Sequence, residues 1–362
     1  MIPYAILLLS CLAFYKSGVA QLSGDSLAIV LHSEKDLFDS DKLLDITIKG
    51  NVHDLLNDRE GVPKYFPLSL TYRREDSSEI SIPVNIKTRG HFRRLRQNCF
   101  YPPLQIQFTG NNKQPLSMFP AKAKLKLVMP CKGDEYVVRE WLVYKLYNLV
   151  TPESLRARLV RVTLENEKGK KHASPFFGIL LEEEEQMAKR NNAVIITRKI
   201  KPRQALPGSF LNMTVFQYLI GNTDWSVEYL QNVRLMGADS MAVPITVPYD
   251  FDHAGIVNAP YALPAEELRM SSCRQRRYRG YCIQDMTAYD NTIAYYNRLK
   301  NDIYGLYTNC KLLDAKYIKS TVQYFDEFYK TINSPKRLKE EFGYPCDESG
   351  TGNVVIRGLK ED

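Results

Sequence analysis

The apolar residues of this chain change their period near residue 200, and that change restricts the fold more than any other feature. Before it come short β-favouring runs at residues 27–31, 44–48, 68–72, 80–86, 104–108, 124–128, 158–164 and 176–181. Several alternate apolar and polar residues with a period of two, as half-buried strands do. Glu75-Asp76-Ser77-Ser78 reads as the turn between two of them. One stretch breaks the pattern: Val137, Trp141, Tyr144, Leu146 and Leu149 recur at helical spacing within 134–150, behind acidic residues that suit a helix start. It reads as an amphipathic helix packed behind the strands. The turn-rich stretch 202–208 is the boundary. Beyond it the spacing predicts a helix capped by Ser209 and running to about Gly221, then aromatic-rich helices near 284–307 and 315–332. The expected class is α+β, with a sheet-rich N-terminal lobe over 21–200 and a mainly helical C-terminal lobe over 201–362.

Residues 1–20 read as a signal peptide, because residues 2–15 are apolar and almost uncharged and small residues precede Gln21. The apolar run falls short of the roughly twenty residues a bilayer-spanning helix needs, so no stable membrane span is expected after cleavage. A single-span anchor and lipidation at Cys11 are the alternatives. The expected location is secreted or periplasmic. Cleavage leaves Cys99, Cys131, Cys273, Cys282, Cys310 and Cys346, an even set that favours disulfides in an exported chain. Cys99 with Cys131, and Cys273 with Cys282, are the pairs expected, since each flanks a turn-rich stretch.

Lys and Arg number 49 against 41 Asp and Glu, a net charge of +8 that is scattered along the chain. Nucleic-acid binding calls for a denser stripe than the one basic run, Arg274-Gln275-Arg276-Arg277-Tyr278-Arg279, so no nucleic-acid partner is expected. No Cys or His spacing suits zinc.

Chemistry concentrates where a helix gives way to Asn222-Thr223-Asp224, a hairpin follows through Asn232-Val233-Arg234 and 245–249, and Asp250-Phe251-Asp252-His253 closes it. Two acidic loops around a hairpin suit phosphoryl transfer: one Asp orients the accepting hydroxyl, and an Asn and a later Asp hold Mg²⁺ on the ATP phosphates. Asp224 is the candidate catalytic residue, and Asn232, Asp250 and Asp252 are the candidate metal ligands. Such a site also needs a strand lysine paired with a helix glutamate. Lys124 and Lys126 stand at i and i+2 on one strand face, with Glu135 and Glu140 on the next helix. Arg89 and Gly90, after a strand, are candidates to cover phosphates.

The order of Lys87-Thr88-Arg89-Gly90-His91-Phe92, Lys124-Leu125-Lys126-Leu127-Val128, Arg139-Glu140-Trp141-Leu142, Phe177-Gly178-Ile179-Leu180-Leu181-Glu182, Asn222-Thr223-Asp224 and Asp250-Phe251-Asp252 resembles the CotH family of exported atypical protein kinases. The resemblance implies a two-lobed, kinase-like fold that binds ATP and Mg²⁺ and phosphorylates protein hydroxyls, with Asp224 in the catalytic-loop role and Asp250 or Asp252 on the metal. The family loop reads Arg-Gly-Asn and then Ser or Thr, where this chain has His91 and Phe92. Asn232 lies eight residues after Asp224, a wider spacing than the usual five.

The leading expectation is an exported phosphotransferase acting on Ser, Thr or Tyr of an extracytoplasmic protein. The alternatives are an inactive binding or envelope-assembly module, with the 274–279 run as an anion-binding face, and an AMP transferase on the same fold.

Overall fold

Strand pairing in the first half of the chain runs in a circle. The computed structural model describes residues 36–109, 117–119, 123–167 and 173–349. Its strands β1 (Leu44–Gly50), β2 (Phe66–Arg73), β3 (Glu79–Thr88), β4 (Leu104–Phe108), β5 (Lys124–Val128), β6 (Ala157–Glu165) and β7 (Phe176–Leu181) form one closed barrel in the order β1-β2-β3-β4-β5-β7-β6. Neighbours are antiparallel except at the seam, where β1 runs parallel to β6 with Leu44 opposite Val160. Alternate residues such as Ile46, Leu70, Ile86, Ile106, Leu125 and Val162 are buried in the interior.

The kinase-like pair of lobes expected from the sequence is therefore not the architecture. The class is mixed α+β, but its main sheet is a closed barrel. Period-two patterning reports which face of a strand is buried, not which strand lies beside it. The β1–β6 seam joins residues far apart in sequence, and it leaves the barrel without an open edge.

Helix α2 (Asp134–Val150) begins where Asp134 Oδ1 accepts a hydrogen bond from the Phe177 amide at 2.7 Å. The sequence suggested an amphipathic helix, yet Val137, Val138, Leu142, Val143, Leu146 and Tyr147 bury nearly its whole circumference. It is a central helix, covered by β6 and β7 on one side and by α4 (Pro207–Ile220) and α6 (Lys300–Thr308) on the other. Among the described residues a second sheet, β10-β9-β8, joins β8 (Val194–Ile196), β9 (Val233–Gly237) and β10 (Ile245–Pro248). Leu206, not Ser209, caps α4; the Ser209 hydroxyl instead accepts from the Thr246 amide at 2.9 Å. The helical region expected near 284–307 is a 3-10 turn at Met286–Tyr289 followed by α5 (Asp290–Arg298) and α6. α7 (Ala315–Ile332) forms where expected, capped by Asp314. Short helices α1 (Val52–Asn57), α3 (Glu184–Arg190) and α8 (Pro335–Phe342) complete the fold.

Cys99 pairs with Cys131 as expected, whereas Cys282 pairs with Cys346 rather than with Cys273. Cys273 is a buried free thiol and Cys310 a half-buried one. Proximity in sequence misled here, because the C-terminal turn at Tyr344–Cys346 packs back against the loop that carries Cys282. Disulfides fit an oxidising, extracytoplasmic compartment. No described helix is long and apolar enough to cross a membrane. The expected signal peptide and the strand at 27–31 lie outside the described residues.

Candidate functional site

The two acidic loops are built onto each other. Helix α4 ends at Gly221, whose φ of +67° is left-handed and whose missing side chain makes room for Tyr324; a Cβ there would lie 2.0 Å from the tyrosine oxygen. The chain then turns through Asn222, whose side-chain oxygen accepts from the Asp224 amide at 3.0 Å. The second loop is laced to this turn through the backbone: the Gly255 amide donates to Gly221 O and the Ile256 amide to Ile220 O, both at 3.0 Å.

Asp224 is held by two amide side chains. Gln231 Nε2 donates to its Oδ1, and Asn232 Nδ2 to its Oδ2 at 3.0 Å. Asn232 Nδ2 also donates to the Asp224 carbonyl at 2.8 Å, so this residue, expected on a metal, serves to orient Asp224. Burial raises the Asp224 carboxyl above the ordinary range; the neighbouring His253 pulls it down and Asp252 adds to the rise.

Asp250 sits at φ +62°, a conformation that an aspartate tolerates better than most side chains. Its amide donates to the Tyr144 hydroxyl of α2 at 3.0 Å. Its carboxylate receives no hydrogen bond from a described residue, and burial together with the charge of Asp252 pushes its pKa up to about 6. Asp252 is buried and accepts from the Tyr261 hydroxyl at 3.1 Å and from Arg93 Nη1 at 3.4 Å.

Arg93 comes from the loop after β3 and reaches three elements. Its Nη2 donates to the Met129 carbonyl at 2.5 Å, and its Nη1 lies 3.7 Å from Glu140 on α2. Glu140 Oε1 and Arg93 Nε are buried without hydrogen-bond partners. Burial raises the Glu140 carboxyl well above the ordinary range, against the pull of Arg93.

Beside this acidic group stands a cationic one. Lys126 points outward from β5 and donates to Glu184 Oε1 at 2.6 Å; Arg234 on β9 donates to the other oxygen of the same carboxylate. Both cations lie over the ring of Tyr249, the residue before Asp250. Burial lowers the Lys126 pKa, and the Arg89 and Arg234 charges add to that while Glu184 opposes it. The Arg89 amide donates to Pro103 O at 2.9 Å, while its guanidinium makes no hydrogen bond or ion pair with a described residue, yet its charge acts on Lys126, Tyr249 and Asp250.

The structure thus assembles Lys126, Arg89, Asp224, Asn232, Asp250 and Asp252, with Glu140 joined to them through Arg93. The strand lysine takes Glu184, at the start of α3, as its partner rather than Glu140. Lys124 is exposed and removed from this pair; its amide donates to Glu183 Oε1 at 2.8 Å. Glu135 folds back over Gly133. Gly90 is exposed with φ +79° and open space where a Cβ would stand, so its role is conformational. Sequence reading missed Glu184, Gln231, Arg234 and Tyr144. Glu184 lies in a run of four glutamates, and nothing in that run marks the one that faces the lysine.

The 274–279 arginines do not form an anion-binding face. Arg276 donates to the last-turn carbonyls Tyr218 O and Leu219 O of α4 and to Tyr324 O, as cations do at helix C-termini. Arg274 donates to Gly255 O at 3.1 Å and Arg279 to Trp225 O at 2.9 Å and to Thr223 O. They brace the two acidic loops from behind.

Among the described residues no three His, Cys, Asp or Glu side chains converge as a closed metal cage. Magnesium does not need one, since it keeps several waters and takes one or two carboxylates. Asp250 suits that role: its carboxylate lacks a hydrogen-bond donor, and a cation would relieve its crowding by Asp252. No protein-family model matches the chain, and no curated protein matches it.

Proposed function

We propose that this protein is an exported, Mg²⁺-dependent phosphotransferase that moves the γ-phosphoryl group of ATP to a Ser, Thr or Tyr hydroxyl of a secreted or periplasmic protein. The observation that carries the reading is the meeting of two unlike charge groups at Asp250. On one side stand Asp224, Asp250 and Asp252, with a raised Asp250 pKa; on the other stand Lys126, Arg89 and Arg234. The first suits a divalent cation and the second suits phosphate oxygens. The order of motifs that resembles the CotH kinases supports the same chemistry, although the fold expected with it is not the one formed.

In this scheme Asp250 and Asp252 would hold Mg²⁺, which would supply charge neutralisation on the phosphates. Lys126, oriented by Glu184, and Arg89 bind phosphate oxygens. Asp224, fixed by Gln231 and Asn232, accepts the proton of the attacking hydroxyl while the bond from the γ-phosphorus to the bridging oxygen breaks and ADP leaves.

The deciding experiment incubates the protein with Mg²⁺ and either γ- or α-labelled ATP, beside an Asp250→Ala control. Asp250-dependent γ label on protein supports the reading. Label from α-ATP indicates AMP transfer, and no label with no nucleotide-induced rise in Tm indicates a binding module; either result overturns it.

A further inference from the structure

Away from the acidic site, a cavity of about 180 Å³ lies between the end of α2, the start of α4 and β10. Its lining carries one formal charge, the carboxylate of Glu153, and no cation, in a chain whose net charge is +8. Glu153 lies two residues beyond Thr151, the C-cap of α2, at the end of the helix where the dipole is negative.

The carboxylate is held in place without being neutralised. The Thr151 hydroxyl donates to its Oε2, and the Glu153 amide donates to Thr151 Oγ1 at 3.3 Å. Arg190 donates to the carbonyls on either side, Pro152 O at 3.0 Å and Ser154 O at 2.8 Å, but its ion pair is with Glu182. Glu153 itself has no ion pair with a described residue.

Two more lining residues have hydrogen-bonding capacity to spare. Tyr147 is 3% exposed, and its hydroxyl, on which the Glu153 charge acts, makes no hydrogen bond with a described residue. The Phe216 ring packs against it at 4.4 Å. The Asn212 carbonyl accepts from the Tyr296 hydroxyl at 2.9 Å, while the Asn212 side-chain amide has no partner among the described residues. The Ser209 and Thr246 hydroxyls, by contrast, bond each other at 3.2 Å, and Leu206 and Ile245 supply apolar surface.

We infer that this cavity binds a primary ammonium group on a short aliphatic chain, carried by a free amine or by a lysine side chain. An ammonium has three N–H donors, and the Glu153 carboxylate, the Tyr147 hydroxyl and the Asn212 amide oxygen are three acceptors. Leu206 and Ile245 suit the methylenes behind it. A quaternary ammonium calls for a cage of aromatic faces, and Tyr147 is the one aromatic residue of this lining. An anion would meet Glu153 with no cation beside it. The inference does not rest on the phosphotransfer reading.

The test titrates n-butylamine, 1-butanol and a capped lysine, N-acetyl-lysine N-methylamide, into wild type, Glu153→Gln and Tyr147→Phe, with binding followed by saturation-transfer NMR. Butylamine should bind at least about tenfold tighter than butanol. Glu153→Gln should remove that preference at an unchanged Tm, and Tyr147→Phe should reduce it. Capped lysine that binds as tightly as butylamine assigns the site to a protein side chain, and capped lysine that is excluded assigns it to a free amine; the ammonium site stands in both cases. Equal binding of butylamine and butanol, a preference kept in both variants, or no binding of either amine overturns the inference.

Discussion

Arg93 Nη1 lies 3.4 Å from Asp252 Oδ2, although the two residues are 159 positions apart in sequence, and 3.7 Å from Glu140 Oε2. One cation therefore balances two buried carboxylates from different elements. Removing it strands both, and breaking a buried pair from one side costs about 3–5 kcal/mol. Arg93→Met should lose that much stability, and Glu140→Gln in the same chain should recover part of it. Urea melts of the two single variants and the double variant check this; strictly additive losses would show the groups to be independent.

Asp250 should trade stability for function. Asparagine tolerates the left-handed backbone at this position and removes a crowded carboxylate, so Asp250→Asn should melt at or above the wild-type temperature while nucleotide binding with Mg²⁺ is lost. Thermal melts with and without Mg²⁺·ATP decide it. A variant that is strongly destabilised would make Asp250 a structural turn residue.

The pKa of Asp250 gives that trade a pH signature. The group titrates at about 6 in the folded chain and, like other aspartates, near about 3.9 when unfolded. The folded state holds more protons between those values, so stability falls as pH rises from about 4 to above about 6 and is then flat. Asp250→Asn lacks this fall. The Tm of the variant minus that of wild type should therefore grow across the window, and Mg²⁺ at neutral pH should shrink it. A difference constant with pH would contradict the crowded-carboxylate picture.

Arg279 donates to the carbonyls on both sides of Asp224. Arg279→Ala should lower kcat for phosphotransfer by more than it raises KM for ATP, and free guanidinium should restore part of the rate. Absence of rescue in a variant that folds normally would leave Arg279 with a purely structural role.

The Cys282–Cys346 bond closes a loop of 64 residues and should contribute about 2–4 kcal/mol. Peptide mapping without reduction should recover these two cysteines joined, and the Cys282→Ser, Cys346→Ser double variant should melt earlier. Recovery of Cys273 joined to Cys282 would refute the pairing.

Much of this arrangement was legible from local pattern. The strands β1 to β7, the span of α2 and the hairpin between the acidic loops follow from periodicity, and Asp224, Asp250 and Lys126 stood out by residue type and order. Partners did not. That Lys126 faces Glu184 rather than Glu140 depends on how β5 packs against α3. That Arg276 closes the end of α4, instead of waiting for a ligand, depends on how its segment packs between α4 and α7. The closure of the barrel is the same kind of fact, because β1 and β6 carry no mark of each other.

The hydrogen bonds from Gly255 to Gly221 and from Ile256 to Ile220 fasten the turn that carries Asp224 to the loop that carries Asp250 and Asp252. A motion that parted those two segments would break both amide bonds. On the opposite bank the barrel carries Arg89 and Lys126, and Arg93 from the same side reaches across to Asp252 at 3.4 Å. The acidic loops and the barrel thus meet through one guanidinium, and the amide pairs behind it keep the two acidic turns in register with each other.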